Sequence, residues 1–217
     1  ILQHSVFDTE ELAREQGVIA QEIAMHRDTP DDYIFDLLDA RAFPDQPIGR
    51  SILGTEEQVR SYTRDHLISY MGRHYQPERI VLSAAGNVSH DALVALAEKL
   101  FVFTPGGERV SPEPAVYRGG DIRLEDDLEQ LHLVMSFPGV AASNPEYHIL
   151  QLYSAILGGG MSSRLFQEIR EKRGMAYHVS SMVSAYRDCG MLSLYCATGE
   201  QQSAELPLLL ADELKKM

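Results

Sequence analysis

The chain has 217 residues, 44% of them hydrophobic, and its 19 basic and 32 acidic residues give a formal net charge of −13. This length is enough for one large domain or two small ones with a real core. The negative charge repels phosphate backbones, so we expect no nucleic-acid partner, and it would attract basic peptides. No run reaches the roughly 18 to 20 apolar residues that a membrane span needs, and no signal peptide is recognisable, so we expect no membrane partner.

The first part of the chain is predicted to be mainly helical. Asp8 and Glu11 have capping-box spacing and predict a helix from about Thr9 to His26. Thr29 is a predicted N-cap, with Pro30 at the first position of a second helix. Three further helices are predicted to begin at Thr55, at Thr63 and within SHDALVALAEKLF, and the segment ERIVLSAAG is predicted to be a buried strand.

The segment TPGGERVSPEP, residues 104–114, combines proline, glycine and charge and predicts a domain boundary. We therefore predict a first domain at residues 1–110, a linker at 111–115 and a second domain at 116–217. In the second domain the predicted strands are GDIRLED, EQLHLVMSFPG and two in AYHVSSMVSAYRDCGMLSLYCATG. The predicted helices are PEYHILQLYSAILGG, SSRLFQEIREKRG and SAELPLLLADELKKM.

A faint repeat links the two parts. The pattern of a strand, a glycine and a leucine-rich helix in IVLSAAGNVSHDALVALAEKL recurs in LSLYCATGEQQSAELPLLLADEL. Two copies of one α+β unit would explain the repeat, and chance similarity of amphipathic segments is the alternative. Cys189 and Cys196 are predicted to be small buried hydrophobes without a mutual bond, because their odd separation within one strand points them to opposite faces.

The first predicted helix places two carboxylates on the face that it should bury. Leu12, Glu15, Ile19 and Glu22 follow the spacing of a buried stripe. Glu15 and Glu22 point within about 20° of each other and stand about 10.5 Å apart along the axis, which makes direct binding of one ion by both difficult. Burying an unpaired carboxylate is costly, so each acid needs an explanation.

The sequence allows two explanations of these acids. Both acids can lie at the edge of the stripe, where they reach solvent or pair with Arg14 or Arg27. Alternatively, one acid ligates a metal while the other works nearby. None of the eight histidines forms H-E-x-x-H or H-x-x-E-H, and no G-x-S-x-G motif is present, so a metal here would need ligands from outside the chain.

Three segments, REQGVIAQEIAMHRDTPDD, PIGRSILGTEEQVRS and LGGGMSSRLFQEIREKRGMAY, resemble the zinc metallopeptidases of the pitrilysin, insulinase and mitochondrial processing peptidase superfamily. The resemblance is closest to the processing-peptidase branch and covers nearly the whole chain in the right order. It implies an α+β fold of two similar domains, each an antiparallel sheet packed with helices. It also implies a zinc-dependent endopeptidase that encloses and hydrolyses peptides or presequence-like segments.

Four residues acquire roles from this resemblance. Glu22 matches the downstream glutamate that ligates zinc, and Glu15 matches a second acid that supports catalysis without touching the metal. Arg170 and Tyr177 match an arginine and a tyrosine that bind the substrate peptide. Without the family, Arg170 with its cationic neighbours would simply complement a helix C-terminus, and Tyr177 would begin a strand.

The main departure from the family is the missing H-x-x-E-H motif, whose two histidines are the other zinc ligands. The resemblance implies that these ligands lie upstream of Ile1, and that the chain joins the second half of a zinc-binding domain to the first half of a substrate-binding domain. We expect such a piece to be inactive alone. The resemblance further implies a homodimer or heterodimer in the bacterial cytoplasm, with the mitochondrial matrix as the alternative. The alternative function is a noncatalytic peptide-binding or scaffold subunit.

Overall fold

The computed structural model describes residues 2–102 and 113–217. The chain divides into two compact units, the first formed by Ile1–Glu22 with Thr55–Pro112 and the second by Ile23–Gly54 with Glu113–Met217. The predicted domain division stays a prediction: residues 111 and 112 of its linker lie outside the described residues, and the second unit also takes in residues 23–54. Within the described ranges no helix has the length and apolarity to cross a membrane.

Helices and one antiparallel sheet make up the described part of the chain, as the predicted α+β class requires. The helices are α1 (Thr9–Arg27), α2 (Pro30–Ala42), α3 (Glu56–Ser61), α4 (Arg64–His74), α5 (His90–Leu100), α6 (Tyr147–Gly158) and α7 (Leu206–Lys215). The strands are β1 (Leu131–Pro138), β2 (Ala176–Ala185) and β3 (Gly190–Thr198). Short 3₁₀ turns lie at Pro47–Gly49, Pro77–Arg79 and Glu200–Gln202, and a π-helical turn spans Phe166–Glu171.

Local capping explains where several helices begin. Thr55 and Thr63 each accept a hydrogen bond from the backbone N–H three residues on, and each forms a complete capping box, which confirms both predicted starts. At α1, Asp8 Oδ1 accepts from the N–H groups of Glu10 and Glu11. The Glu11 carboxylate does not complete a box there, because it pairs with Arg14 instead.

Thr29 is the N-cap residue of α2 and Pro30 is the first residue of this helix, as predicted. The Thr29 side chain accepts no capping hydrogen bond. Its hydroxyl donates to the Met25 carbonyl 2.8 Å away, at the C-terminal end of α1. Because the hydroxyl serves the preceding helix, the start of α2 depends on Pro30, whose missing N–H needs no partner at this position.

The first unit is held by polar side chains more than by an apolar core. Gln16 Nε2 donates to the carbonyls of Val59 and Tyr62, at 2.9 and 2.8 Å, and so ties α1 to α3. Arg64 donates to the Val6 carbonyl at 2.8 Å. Among the described residues of this unit, Val59 is the one buried apolar side chain.

The buried strand predicted for ERIVLSAAG is wrong. Residues 80–85 lie in no strand, and Val81 and Leu82 are 90% and 52% exposed. No other described segment pairs with this backbone, and a strand requires a hydrogen-bonded neighbour. On α5 the predicted apolar face is present, yet Leu96 and Leu100 are exposed.

The second unit is built on a three-stranded antiparallel sheet of order β1-β3-β2. Leu131 of β1 lies opposite Thr198, and Ala185 of β2 lies opposite Gly190. This sheet confirms three of the predicted strands. The fourth, GDIRLED, is wrong, because residues 120–126 find no strand partner among the described residues and are all exposed.

The core of this unit lies on one face of the sheet. The buried residues of the core cluster are Leu157, Leu165, Ile169, Met175, Ala176, Val179, Leu194, Cys196, Leu206 and Leu210. Because side chains alternate along a strand, Tyr195 points to the opposite face, where its ring lies 5.7 Å from that of Phe35 in α2. Cys189 and Cys196 are both free, as predicted, and Cys196 is fully buried.

Candidate functional site

The two candidate acids of α1 are both exposed to solvent. Leu12 and Ile19 of the same stripe are half-buried, so the stripe faces the protein while its acids reach past the edge. Within the described residues neither Glu15 nor Glu22 has a hydrogen bond or ion pair. This outcome matches the solvent-facing explanation, and it excludes the predicted pairing with Arg14, whose partners are Glu10 and Glu11.

The described residues do not form a complete metal site. No group of three or more His, Cys, Asp or Glu side chains in residues 2–102 and 113–217 is arranged to hold a metal ion. Glu22 is a free carboxylate, the type of group that binds zinc through oxygen. Glu15 lies about 10.5 Å from Glu22 along the helix axis, too far for both acids to bind one ion.

Arg170 lies in the π-helical turn and stacks between two aromatic rings. Its guanidinium carbon is 4.8 Å from the Phe166 ring centroid and 4.9 Å from the Tyr177 ring centroid. Such contacts between a cation and a ring face are attractive and leave the guanidinium N–H groups free at the edge. Within the described residues Arg170 has no carboxylate partner.

The neighbouring cations behave differently from Arg170. Lys172 and Arg173 both pair with the Glu168 carboxylate, Arg173 at 3.1 Å. The hydrogen bonds from Lys172 and Arg173 hold the pKa of Glu168 below its ordinary value. Arg170 lies in the last turn of the π-helical segment, as the helix-end explanation expects, and it also contacts the two aromatic rings.

Tyr177 owes its position to an irregularity of β2. Ala176 lies opposite Thr198 and His178 opposite Ala197, so Tyr177 is an extra residue between two paired ones, a β-bulge. A bulge redirects the side chain that it carries. The Tyr177 side chain is 74% exposed, and Gly174, with φ +61°, provides the left-handed residue that turns the chain from the π-helical turn into β2.

Gly158, the last residue of α6, allows this helix to pack closely against its neighbour. A Cβ atom on Gly158 would lie 2.5 Å from the Ser181 backbone nitrogen, so α6 approaches β2 closely at this point. The Ser154 and Ser181 hydroxyls lie 2.9 Å apart beside it. A Cβ on Gly160 would meet nothing within 4 Å, which leaves this glycine without a packing role.

Sequence reasoning missed a group of acids around α2. His26 Nε2 lies 3.1 Å from Asp36 Oδ2. Burial and the nearby Asp36 raise the pKa of Asp39 to about 6. Helical spacing in the sequence indicates a pair only when both residues lie on one helix. Asp36 lies on the helix after that of His26, so their pairing is visible only in the three-dimensional structure.

Sequence reasoning also missed Phe166 as a residue of the candidate site. The spacing of four residues between Phe166 and Arg170 is the available signal, since such residues share a helix face. The π-helical turn and the bulge carry no comparable signal, although Tyr177 lies in that bulge and contacts Arg170.

Comparison with known proteins identifies the family. Residues 61–217 match the family described as the peptidase M16 inactive domain. An uncharacterized zinc protease of Rickettsia bellii is 44% identical over 100% of this chain and 53% of its own length. One from Bacillus subtilis is 38% identical over 97% of this chain and 52% of its own length. The chain thus spans about half the length of the curated relatives it matches.

Solved structures agree in fold. The crystal structure of a peptidase M16 inactive domain from Pseudomonas fluorescens matches 99% of this chain and 53% of its own chain, with a TM-score of 0.91 and 22% identity. A protease from Helicobacter pylori matches 97% of this chain, with a TM-score of 0.84 and 17% identity. The family match covers well over half of the chain, and the predicted resemblance is confirmed: this chain belongs to the peptidase M16 family.

Proposed function

We propose that the chain is part of a zinc-dependent endopeptidase that hydrolyses peptides or presequence-like segments, and that residues 1–217 alone are inactive. The observation that carries the proposal is Arg170, an uncompensated guanidinium stacked on an exposed tyrosine, while both neighbouring cations are neutralised. Such a group is suited to a peptide carbonyl or carboxylate. The name zinc protease given to relatives that align with nearly the whole chain supports the same function.

Glu22 is the proposed zinc ligand of this chain, and Glu15 the acid that supports the site. Glu22 faces solvent and has no ion-pair partner within residues 2–102 and 113–217, which suits a group that completes a site with ligands from elsewhere in a longer protein. Zinc bound in such a site lowers the pKa of a water molecule and polarises a carbonyl. Glu15, about two helical turns earlier, would act on the peptide or on the site's charge without reaching the metal.

Arg170 and Tyr177 are the proposed substrate-binding pair. The guanidinium edge and the phenol hydroxyl are both hydrogen-bond donors, and both lie at one exposed point of the second unit. Donors of this kind hold a peptide carbonyl or stabilise negative charge on its oxygen. A bacterial cytoplasmic location, with the mitochondrial matrix as alternative, and assembly as a homodimer or heterodimer belong to the same proposal.

The test compares the full-length protein with its Glu22→Gln variant. We expect the wild type to bind one zinc ion and to cleave a quenched fluorescent peptide pool, and Glu22→Gln to lose both properties. Glu10→Gln, another exposed acid of α1, is the matched control and should retain both. Glu15→Gln should retain zinc but lose most activity, because its proposed role is outside the metal's ligands.

A folded full-length protein without zinc or activity would overturn this proposal. It would favour a noncatalytic peptide-binding or scaffold subunit, and Glu15 and Glu22 would then need another explanation.

The substrate class follows from charge. The net charge of −13 favours basic peptides, because an acidic protein attracts them and repels acidic ones. Cleavage of matched basic and acidic peptides of equal length is the measurement, and we expect the preference for basic peptides to shrink as salt is added. Equal rates for both peptides at low salt contradict this part of the proposal.

A further inference from the structure

Phe166 and Tyr177 stack on Arg170 at nearly equal distances, but they are anchored differently. Phe166 is partly buried and packs against the core cluster of the second unit. Tyr177 is 74% exposed and lies in the bulge of β2, outside the regular ladder. Of the two rings, only Phe166 is therefore fixed by the interior of the protein.

Apart from the two rings, no described contact fixes the orientation of the Arg170 guanidinium. Within the described residues, no carboxylate pairs with Arg170. Glu168, two residues before Arg170 in the turn, is engaged by Lys172 and Arg173. An arginine side chain has many rotamers, so a guanidinium without a partner loses considerable freedom when it binds a ligand.

We propose that Phe166 is a positioning residue for Arg170: its ring holds the guanidinium plane so that the N–H edge faces outward for a peptide ligand. The inference deepens the proposed function, on which it rests for the identity of the ligand. The role belongs to the aromatic face and not to the volume of the side chain, because the attraction arises from the ring's π electrons.

The effect expected from this role is a loss of affinity. Without the ring, Arg170 samples several orientations and has to be ordered by the ligand itself. A single cation–ring contact at a partly exposed site corresponds to a change in affinity of about tenfold at most. Phe166→Tyr keeps a ring of the same shape and should keep wild-type affinity.

The experiment measures binding of a fluorescein-labelled basic peptide with a reduced, uncleavable amide to the full-length protein by fluorescence anisotropy. We expect Phe166→Leu to raise the dissociation constant about five- to tenfold, and Phe166→Tyr to stay within about twofold of wild type. Phe137→Leu is the matched control, since Phe137 is another partly buried phenylalanine packed against the same core cluster. It should also stay within about twofold.

A second measurement reports on Arg170 directly. In the full-length protein labelled with ¹⁵N-arginine, the Arg170 side-chain N–H signal is assigned by its loss in Arg170→Lys. We expect ring currents to shift this signal in wild type, and Phe166→Leu, but not Phe137→Leu, to remove much of the shift. A signal that Phe166→Leu leaves unchanged overturns the inference.

Binding separates this inference from the proposed function, since it requires no hydrolysis. If the wild type binds the peptide but cleaves nothing, and the variants keep the expected order, the inference stands and the endopeptidase proposal fails. If the wild type cleaves peptides while Phe166→Leu and Phe137→Leu weaken binding equally, the inference fails alone. Failure of Phe166→Tyr to restore affinity also overturns it.

Discussion

The two compact units of this chain are stabilised in different ways. In the second unit, a sheet and its helices enclose a continuous set of fully buried apolar side chains. In the described part of the first unit, Val59 is the single buried apolar side chain, and glutamine and arginine side chains bonded to backbone carbonyls connect the helices. Val81 and Leu82, and Leu96 and Leu100 of its α5, remain exposed.

This difference shows that a segment can form helices without burying an apolar core. The helices of the first unit form from local signals, namely N-caps, charges and periodicity. Local signals fix a helix but bury little apolar surface, and burial supplies most of the stability of a domain. We therefore expect substitutions of apolar residues to have unequal effects in the two units.

The largest expected contrast is between two leucines. Leu194→Ala empties a fully buried position of β3 and should cost about 3 kcal/mol of unfolding free energy. Leu96→Ala, at a 52% exposed position of α5, should change it by less than about 0.5 kcal/mol. Urea unfolding of the 217-residue chain measures both. Equal losses of unfolding free energy in the two variants would contradict the difference between the units, because they would mean that Leu96 is buried in solution.

A pair of glycines extends the contrast to the backbone. Gly158→Ala places a Cβ 2.5 Å from the Ser181 nitrogen and should cost about 2 kcal/mol. Gly17→Ala, in the middle of α1 with nothing within 4 Å of the added Cβ, should stabilise the chain by about 0.5 to 1 kcal/mol, since alanine favours a helix. Thermal unfolding of both variants is the measurement. A stabilising Gly158→Ala would contradict the close approach of α6 to β2.

A smaller effect is expected on the pH dependence of stability, through Asp39 in the second unit. The pKa of Asp39 is raised from 3.8 to about 6 in the folded state, so the folded chain keeps a proton that the unfolded chain releases. Stability is therefore lost as pH rises from about 4 to about 6, and this loss persists at pH 7. Asp39→Asn should be more stable than wild type by about 1 kcal/mol at pH 7, allowing for partial exposure, and this advantage should vanish near pH 4.

Unfolding midpoints measured across this pH range test the Asp39 prediction. Asp127→Asn, at an exposed loop position, is the control and should leave the pH dependence as in wild type. An advantage of Asp39→Asn that is the same at both pH values would contradict the assignment.

The smallest expected effect concerns a cap in the first unit. Thr63→Ala removes the hydroxyl that accepts from the His66 N–H and should destabilise α4 locally by about 0.5 to 1 kcal/mol, whereas Thr63→Ser should not. Hydrogen exchange of the α4 amides measures the change. Faster exchange confined to the first unit supports the comparison, and equal acceleration in β3 would show that the two units unfold together.

Features that depend on neighbouring residues in the sequence were predicted correctly. Thr55, Thr63 and Pro30 mark helix starts because their effects act within one turn. β1, β2 and β3 were recognisable because each alternates or is richly apolar and finds a neighbour within the chain. Residues 80–85 have the same composition but no partner strand, and a strand cannot be stable without one.

The candidate site was only partly predictable for the same reason. Helical spacing placed Glu15 and Glu22 on a shared face, but exposure depends on what packs beside that face, and both acids proved to be exposed. Family resemblance pointed to Arg170 and Tyr177. Their mutual contact depends on a π-helical turn and a bulge, and the local preferences of the residues predict neither irregularity.

The bulge at Tyr177 has an evolutionary consequence. Because this residue is supernumerary in the ladder between Ala176 and His178, its side chain can be exchanged without altering the alternation of the residues around it. Under the proposed substrate-binding role of Tyr177, natural variation or laboratory selection can therefore change ligand preference at this position while the sheet still folds. A diversified library at position 177 should accordingly yield mostly folded proteins, with their differences concentrated in recognition.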